Sequence, residues 1–237
     1  MRLINWECLA EMDKLIEQWV KVDAIITDPP FNLVEKCWGS IHLFRQNEKD
    51  WNDVYTKDSM SYDVWFNQTE WISKAMKLLK KWGNIIIFND WENMAEIAWE
   101  LRENKANVKS LNHWQKTNPQ PAEWKRRFVP WREYFLHAIK KWDKYTFNLD
   151  KIHHWDFIMW LTPWREKKHW KHPNQKPIKL MEELIKIVTN EWDTVLDCFM
   201  WSNSTWVACK NLNRKIIGIE LDENYFKIAN DRINGTD

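Results

Sequence analysis

The sequence predicts an α/β fold: a mostly parallel, twisted sheet with helices on both faces. Three observations predict it. Apolar runs of strand length at residues 22–26, 84–89 and 215–220 alternate with stretches of helical periodicity, a rhythm that favours parallel strands joined by helical crossovers. The centres of these runs, residues 24–26, 85–88 and 216–219, are continuously apolar, as strands covered on both faces are. The chain has 237 residues, enough for one domain with a sizeable core. A single domain over residues 1–237 is expected, with a first half at about 1–110, an insert at about 118–171 and a last part at about 172–237.

The elements follow in order. Residues 2–5 form a short strand and residues 8–18 a helix. The run at 22–26 is a buried strand that Pro29 and Pro30 terminate. Residues 32–66 are polar, with Gly39, Asn47, Asp50, Asn52 and Asp53, and keep no period, so a loop is expected. Thr69 caps a helix to about Lys80, with Trp71, Ile72, Ala75, Met76 and Leu79 on one face, and Trp82-Gly83 ends it. A buried strand at 84–89 precedes a helix at 91–104 that turns Met94, Ile97, Ala98 and Leu101 inward. Residues 134–139 read as a strand. Pro177 opens a helix with Ile178, Leu180, Met181, Leu184, Ile185 and Val188 on its core face. A strand ending at Asp197 passes through a tight loop into a helix near Ser204, and the strand at 215–220 leads to a helix at 222–233.

Charge is unevenly placed. The chain carries net +1, but residues 116–176 carry +8 and the remainder −7. A basic block in a neutral chain fits a polyanionic partner, and equally suits a solvated loop region. No run of 18 apolar residues exists and the N-terminus lacks a signal-peptide pattern, so a soluble, cytoplasmic protein is expected. Cys8, Cys37, Cys198 and Cys209 show no Cys-x-x-Cys spacing, which points to reduced thiols. His153, His154, His169 and His172 match no common metal site, so no metal is expected.

The mouth of the strand at 22–26 carries the chemistry. Asp28 offers a carboxylate, Pro29 and Pro30 offer carbonyls, and Phe31 offers a ring. An aromatic amino group is a poor nucleophile because its lone pair is delocalised into the ring. Asp28 and the Pro29 carbonyl can accept its two hydrogens and turn the lone pair outward. Phe31 can stack on the ring. The same residues also suit a plain Pro-Pro turn with a solvated carboxylate.

Asp28-Pro29-Pro30-Phe31 resembles the catalytic motif of the amino-methylating DNA methyltransferases, which modify adenine N6 or cytosine N4. Other stretches resemble that family in chain order: Trp6-Glu7-Cys8-Leu9, the segment from Trp114 to Pro121, the strand from Tyr134, His172-Pro173-Asn174-Gln175-Lys176-Pro177, and residues 194–206. Catalytic motif first and cofactor motif last resembles the β class. The resemblance implies a Rossmann-like S-adenosylmethionine-dependent methyltransferase fold. It implies Asp28, Pro29, Pro30 and Phe31 as catalytic, and Glu7, Cys8, Lys176, Asp197, Phe199, Trp201, Ser202, Ser204, Thr205, Glu220 and Asp222 as cofactor-binding. Ser204 and Thr205 are expected to cap a helix facing the methionyl carboxylate. Glu220, 19 residues after Trp201, stands at about the spacing that puts an acid on ribose hydroxyls. Duplex DNA is the implied partner, with Lys116, Lys125, Arg126, Arg127, Arg132, Arg165, Lys167 and Lys168 facing it. A homodimer and a cognate restriction nuclease are further partners of such enzymes. Adenine N6 is the expected target. Cytosine N4, RNA or small-molecule methylation, and an inactive DNA-binding relative remain alternatives.

One feature of composition disagrees with all of this. The chain holds 20 Trp and 4 Gly, where ordinary usage gives roughly 17 Gly. Trp stands at glycine-like places, including 6, 82, 192, 201 and 206, whereas Trp71 and Trp114 suit an aromatic. A code that assigns UGA to glycine, translated as if UGA were tryptophan, produces this pattern. A literal Trp201 or Trp206 fills volume that the cofactor needs.

Overall fold

The computed structural model describes residues 2–5, 7–32, 66–116, 132–141, 144–148, 157–158, 175–201 and 203–234. They build one eight-stranded sheet. In chain order its strands are β1 (Arg2–Asn5), β2 (Val22–Thr27), β3 (Leu79–Asn89), β4 (Asn107–Gln115), β5 (Arg132–Ile139), β6 (Phe157–Ile158), β7 (Thr194–Asp197) and β8 (Lys215–Glu220). The order across the sheet is β1-β8-β7-β2-β3-β5-β4-β6. From β1 to β3 neighbouring strands are parallel. The strand β5 runs antiparallel to both β3 and β4.

Among the described residues six helices lie on the two faces: α1 (Cys8–Glu17), α2 (Ile72–Leu78), α3 (Met94–Glu103), α4 (Ile178–Val188), α5 (Ser204–Asn211) and α6 (Glu223–Asn234). Side-chain alternation along the strands divides the core between them. Ile25, Ile85 and Ile87 face Met12 and Leu15 of α1, Ile72 and Ala75 of α2 and Ile97 and Leu101 of α3. Ile26, Ile86 and Phe88 face Leu180, Leu184 and Ile185 of α4 and Trp206 and Ala208 of α5. The continuous apolar runs are thus strands covered twice, as expected.

Two local expectations need correction. The helix expected at 69–80 is shorter, and Thr69 does not cap it. Asn67 Oδ1 takes the Thr69 and Glu70 N–H groups instead, at 3.0 and 3.1 Å. Leu79 already pairs with Val22, so β3 begins before Trp82-Gly83. Gly83 is needed there: a Cβ would stand 2.7 Å from the Asp23 carbonyl oxygen and 2.6 Å from Leu79 Cδ1. Pro177 occupies the position before α4 rather than its first residue.

Among the described residues, eight other than glycine have positive φ, and four are tryptophans: Trp19 (57°), Trp82 (71°), Trp192 (70°) and Trp201 (49°). Trp19 follows α1 where Val20 N–H donates to the Leu15 carbonyl and Trp19 N–H to that of Ile16, both at 3.0 Å. That double closure is the Schellman motif, whose left-handed residue is usually glycine. Trp192 is the third residue of a turn in which Asp193 N–H donates to the Asn190 carbonyl at 3.3 Å; a positive φ there again asks for glycine. A side chain in this region costs about 1–2 kcal/mol.

Candidate active site

The sheet places the sequence-predicted residues along one edge. β2 leads through α2 to β3 on one side, and β7 leads through α5 to β8 on the other. The two paths diverge between β2 and β7, which pair in parallel with Ala24 opposite Val195. Such a switch point opens a crevice at the carboxyl ends of the strands. Asp28 follows β2, Asp197 ends β7, Glu220 ends β8, and Glu7 with Cys8 follows β1.

Asp28 sits in a small charged cluster. The Lys176 ammonium lies 2.5 Å from Asp28 Oδ2 and 3.5 Å from Glu133 Oε2. Lys116 pairs with the other Glu133 oxygen. Lys176 is buried, with 7% of its side chain exposed; Asp28 and Glu133 keep 20% and 22%. Burial alone would discharge Lys176, but Asp28 and Glu133 outweigh it and raise its pKa. Burial also works against an ionised Glu133, and there Lys176 and Lys116 win and hold it below the usual carboxylate range. Asp28 is held above that range: burial raises it and Lys176 only partly offsets the rise. Asp28 Oδ1 is buried and has no hydrogen-bond partner among the described residues.

An amide network fixes the residues after Asp28. Gln68 Nε2 donates to the Pro30 carbonyl at 2.8 Å, and Asn93 Nδ2 donates to the Phe31 carbonyl at 3.2 Å. Asn89 joins the two, donating to Gln68 Oε1 and accepting from Asn93 Nδ2, each at 2.7 Å. The Asp28 carbonyl accepts from Trp201 Nε1 at 2.6 Å. Of the carbonyls from Asp28 to Phe31, only that of Pro29 accepts no hydrogen bond among the described residues. Phe31 is half-buried, its ring centroid 5.3 Å from the Lys176 ammonium.

The second group lies beside the first. Asp197 is buried and accepts from Thr27 Oγ1 at 2.8 Å, Thr205 Oγ1 at 2.5 Å and Phe199 N–H at 3.2 Å. Burial pushes its pKa up to about 6 against those donors. Phe199 packs edge-on to Phe66 and Trp71. Glu220 accepts the Trp201 N–H at 2.7 Å and the Asp222 N–H at 2.9 Å. Burial pushes it up to about 7, those two bonds opposing. Met200 packs where β8 has Gly218; a Cβ there would stand 2.4 Å from its sulfur. That close approach holds the loop after β7 against the sheet.

Several predicted residues have partners within the protein, and the capping expected of Ser204 and Thr205 is not seen. Ser204 Oγ donates to the Lys176 carbonyl at 2.8 Å, and Thr205 serves Asp197, so neither caps α5. Buried Asn203, with φ 76°, holds the cap position. Lys176 turns to Asp28 and Glu133. Glu7 caps α1 by accepting from Leu9 and Ala10 N–H at 2.9 and 2.8 Å. Cys8 is buried, which pushes its thiol pKa up. Asp222 caps α6 through the Asn224 and Tyr225 N–H groups. Lys116 faces inward to Glu133, and Arg132 is exposed at the start of β5. Trp6, Ser202, Lys125, Arg126, Arg127, Arg165, Lys167, Lys168, the four histidines from 153 to 172 and the expected loop at 33–65 lie outside the described residues.

The donor set suits S-adenosylmethionine at every described position but one. Glu220 offers a buried carboxylate for a diol, and the start of α5 faces the crevice side of β7. Trp201 does not fit. Its backbone binds Glu220 while its indole reaches Asp28, so the ring spans the gap between the two groups. Sequence reasoning missed Gln68, Asn93 and Glu133. Their signals were faint: amides flanking apolar runs, and one acid opening a strand.

Comparisons with known proteins agree on the family. The DNA methylase family profile matches residues 22–231. The type II methyltransferase M2.LlaDCHI of Lactococcus lactis subsp. cremoris is 32% identical over 240 residues, covering 95% of this chain and 87% of that protein. M2.DpnII of Streptococcus pneumoniae is 31% identical over 226 residues, with 90% and 82% covered. The crystal structure of the M1.HpyAVI–SAM complex matches with a TM-score of 0.76 and 34% identity, covering 98% of each chain. With β2 and β7 adjacent at the switch point and these relatives along nearly its whole length, the chain belongs to the DNA methylase family.

Proposed function

We propose that the amine this DNA methyltransferase modifies is adenine N6 in duplex DNA, turned out of the helix to reach Asp28. The observation that carries it is a pair of acceptors at the switch point that take no hydrogen bond among the described residues: Asp28 Oδ1 and the Pro29 carbonyl. An exocyclic amine has two hydrogens, and these two oxygens take one each. S-adenosylmethionine, the ligand named in the M1.HpyAVI complex, supplies an electrophilic methyl group when bound. Phe31 offers its ring face to the base. Asp28 draws density onto the amine nitrogen and receives the proton that the nitrogen sheds. The amide network of Gln68, Asn89 and Asn93 keeps the Pro30 and Phe31 carbonyls from turning inward. Glu220 is the residue for the ribose hydroxyls. Because the base must leave its stack, unpairing costs a few kcal/mol, recovered by phosphate contacts in the basic segment at about 118–171.

The same reading divides the chain into a catalytic part, that basic segment and a cofactor part. It places the enzyme in the cytoplasm; among the described residues no helix is long and apolar enough to cross a membrane. It extends to a homodimer and to a companion restriction nuclease, the latter supported by the type II designation of both curated relatives.

The test is transfer of tritium from labelled S-adenosylmethionine to duplex DNA by the Trp201→Gly variant, followed by nucleoside analysis. N6-methyldeoxyadenosine is the expected product. Label in N4-methyldeoxycytidine would overturn the choice of base, and an unlabelled duplex would overturn the activity.

A further inference from the structure

We propose that Glu133 is a positioning residue for the reaction, acting through Lys176. This rests on the reading of Asp28 given above. Glu133 enters from β5, on the far side of β3 from β2, and belongs to none of the catalytic or cofactor stretches. Lys176 is a single buried ammonium between two carboxylates, closer to Asp28 Oδ2 than to Glu133 Oε2. Two oxygens in this cluster are buried and accept no hydrogen bond among the described residues: Asp28 Oδ1 and Glu133 Oε2. With Lys116 on the remaining Glu133 oxygen, two cations balance two anions. Asp197 is the next acid: burial raises its pKa, and repulsion from Asp28 across the β2–β7 gap adds to the rise.

The geometry gives Lys176 two partners. With no amine present it satisfies Asp28. An amine on Asp28 Oδ1 shares the carboxylate's charge with the ammonium on Oδ2, and Glu133 Oε2, 3.5 Å from that ammonium, takes up the pairing that Asp28 gives up. Glu133 thereby keeps Asp28 available as an acceptor and keeps the buried ammonium paired. Without the Glu133 charge, Lys176 pairs with Asp28 alone and draws its negative charge away from the amine.

The experiment compares Glu133→Gln, Glu133→Asp and Asp28→Asn, all in a Trp201→Gly background. Glu133→Gln is expected to lower kcat at least tenfold while the affinity for S-adenosylmethionine stays within about twofold. The acid limb of its pH–rate profile is expected to move to lower pH, because a negative neighbour of Asp28 has been removed. Glu133→Asp restores the position of that limb. A purely structural role would lower thermal stability without moving the limb. If Glu133→Gln keeps both kcat and the limb while Asp28→Asn is dead, the proposal falls and the reading of Asp28 stands. If Asp28→Asn remains fully active, that reading itself is what fails.

A different observation carries a second inference. We infer that the source organism places glycine at 19, 82, 192 and 201. All four have left-handed φ, which a β-unbranched indole rarely adopts. Trp19, Trp82 and Trp192 are 85%, 41% and 67% exposed, so their indoles contribute little burial in return. Trp71 and Trp114 differ: they are 1% and 4% exposed, and neither has a positive φ. The gene decides it. UGA is expected at 19, 82, 192 and 201 and UGG at 71; UGG at the four left-handed positions overturns the inference. The triple variant Trp19→Gly, Trp82→Gly, Trp192→Gly is expected to melt at least about 5 °C higher than the parent chain. A lower melting temperature would count against it equally.

Discussion

Trp201→Gly is expected to raise the affinity for S-adenosylmethionine by roughly tenfold or more. The indole of Trp201 donates to the Asp28 carbonyl at 2.6 Å and lies edge-on to Tyr225 at 6.0 Å. A ligand that spans Asp28 and Glu220 has to displace that ring. The lost hydrogen bond costs about 1 kcal/mol and the lost aromatic contact about 0.5–1.5 kcal/mol. Together they exceed the ~1.4 kcal/mol that separates affinities tenfold. Glycine removes the obstruction and keeps the one useful contact, the backbone N–H that reaches Glu220 Oε2 at 2.7 Å. Trp206 is a different case. It is 3% exposed within the core under α4 and α5, so replacing it opens a cavity. Isothermal calorimetry on the two chains checks the prediction, and equal dissociation constants would refute it.

Asp28→Asn is expected to lower single-turnover methyl transfer by about 10²–10³-fold, as removal of one aimed electrostatic group does elsewhere, with cofactor affinity nearly unchanged. The amide keeps the size of the carboxylate but replaces one acceptor with a donor, which opposes an amine hydrogen. It also takes the charge from the closer of the two Lys176 partners. Unfolding is a competing cause of lost activity, since breaking a buried ion pair costs about 3–5 kcal/mol. Asp28 keeps 20% side-chain exposure and Lys176 retains Glu133, so a smaller loss is expected here. A melting curve beside the kinetics separates the two. The parent enzyme should also lose rate as pH falls, because the reaction needs ionised Asp28. Its raised pKa puts that loss above the ordinary carboxylate range of about 3.9.

The legible parts of the fold were those written in short, local patterns. β2 was readable because its apolar run meets two prolines, and α4 because one face is apolar for its whole length. The start of β3 was not, because Lys80, Lys81, Trp82 and Gly83 look like a helix end and a turn; their strand state comes from pairing with β2. Nor was the antiparallel setting of β5, which only the strand order reveals. The acids at the carboxyl ends of β2, β7 and β8 were found from motif and spacing. Their partners were not. Lys176 reaches Asp28 across 148 positions, and Thr27 reaches Asp197 across 170. Hydroxyls expected to face a ligand are spent on buried neighbours, a choice set by burial that no single stretch of sequence displays.

The first strand and the last are hydrogen-bonded to each other at one border of the sheet, with Asn5 opposite Glu220. The two reactive strands, by contrast, meet in the middle. A change in the order of the strands along the chain that preserved both pairings would leave the middle untouched. Which half a gene encodes first is therefore physically arbitrary for this architecture.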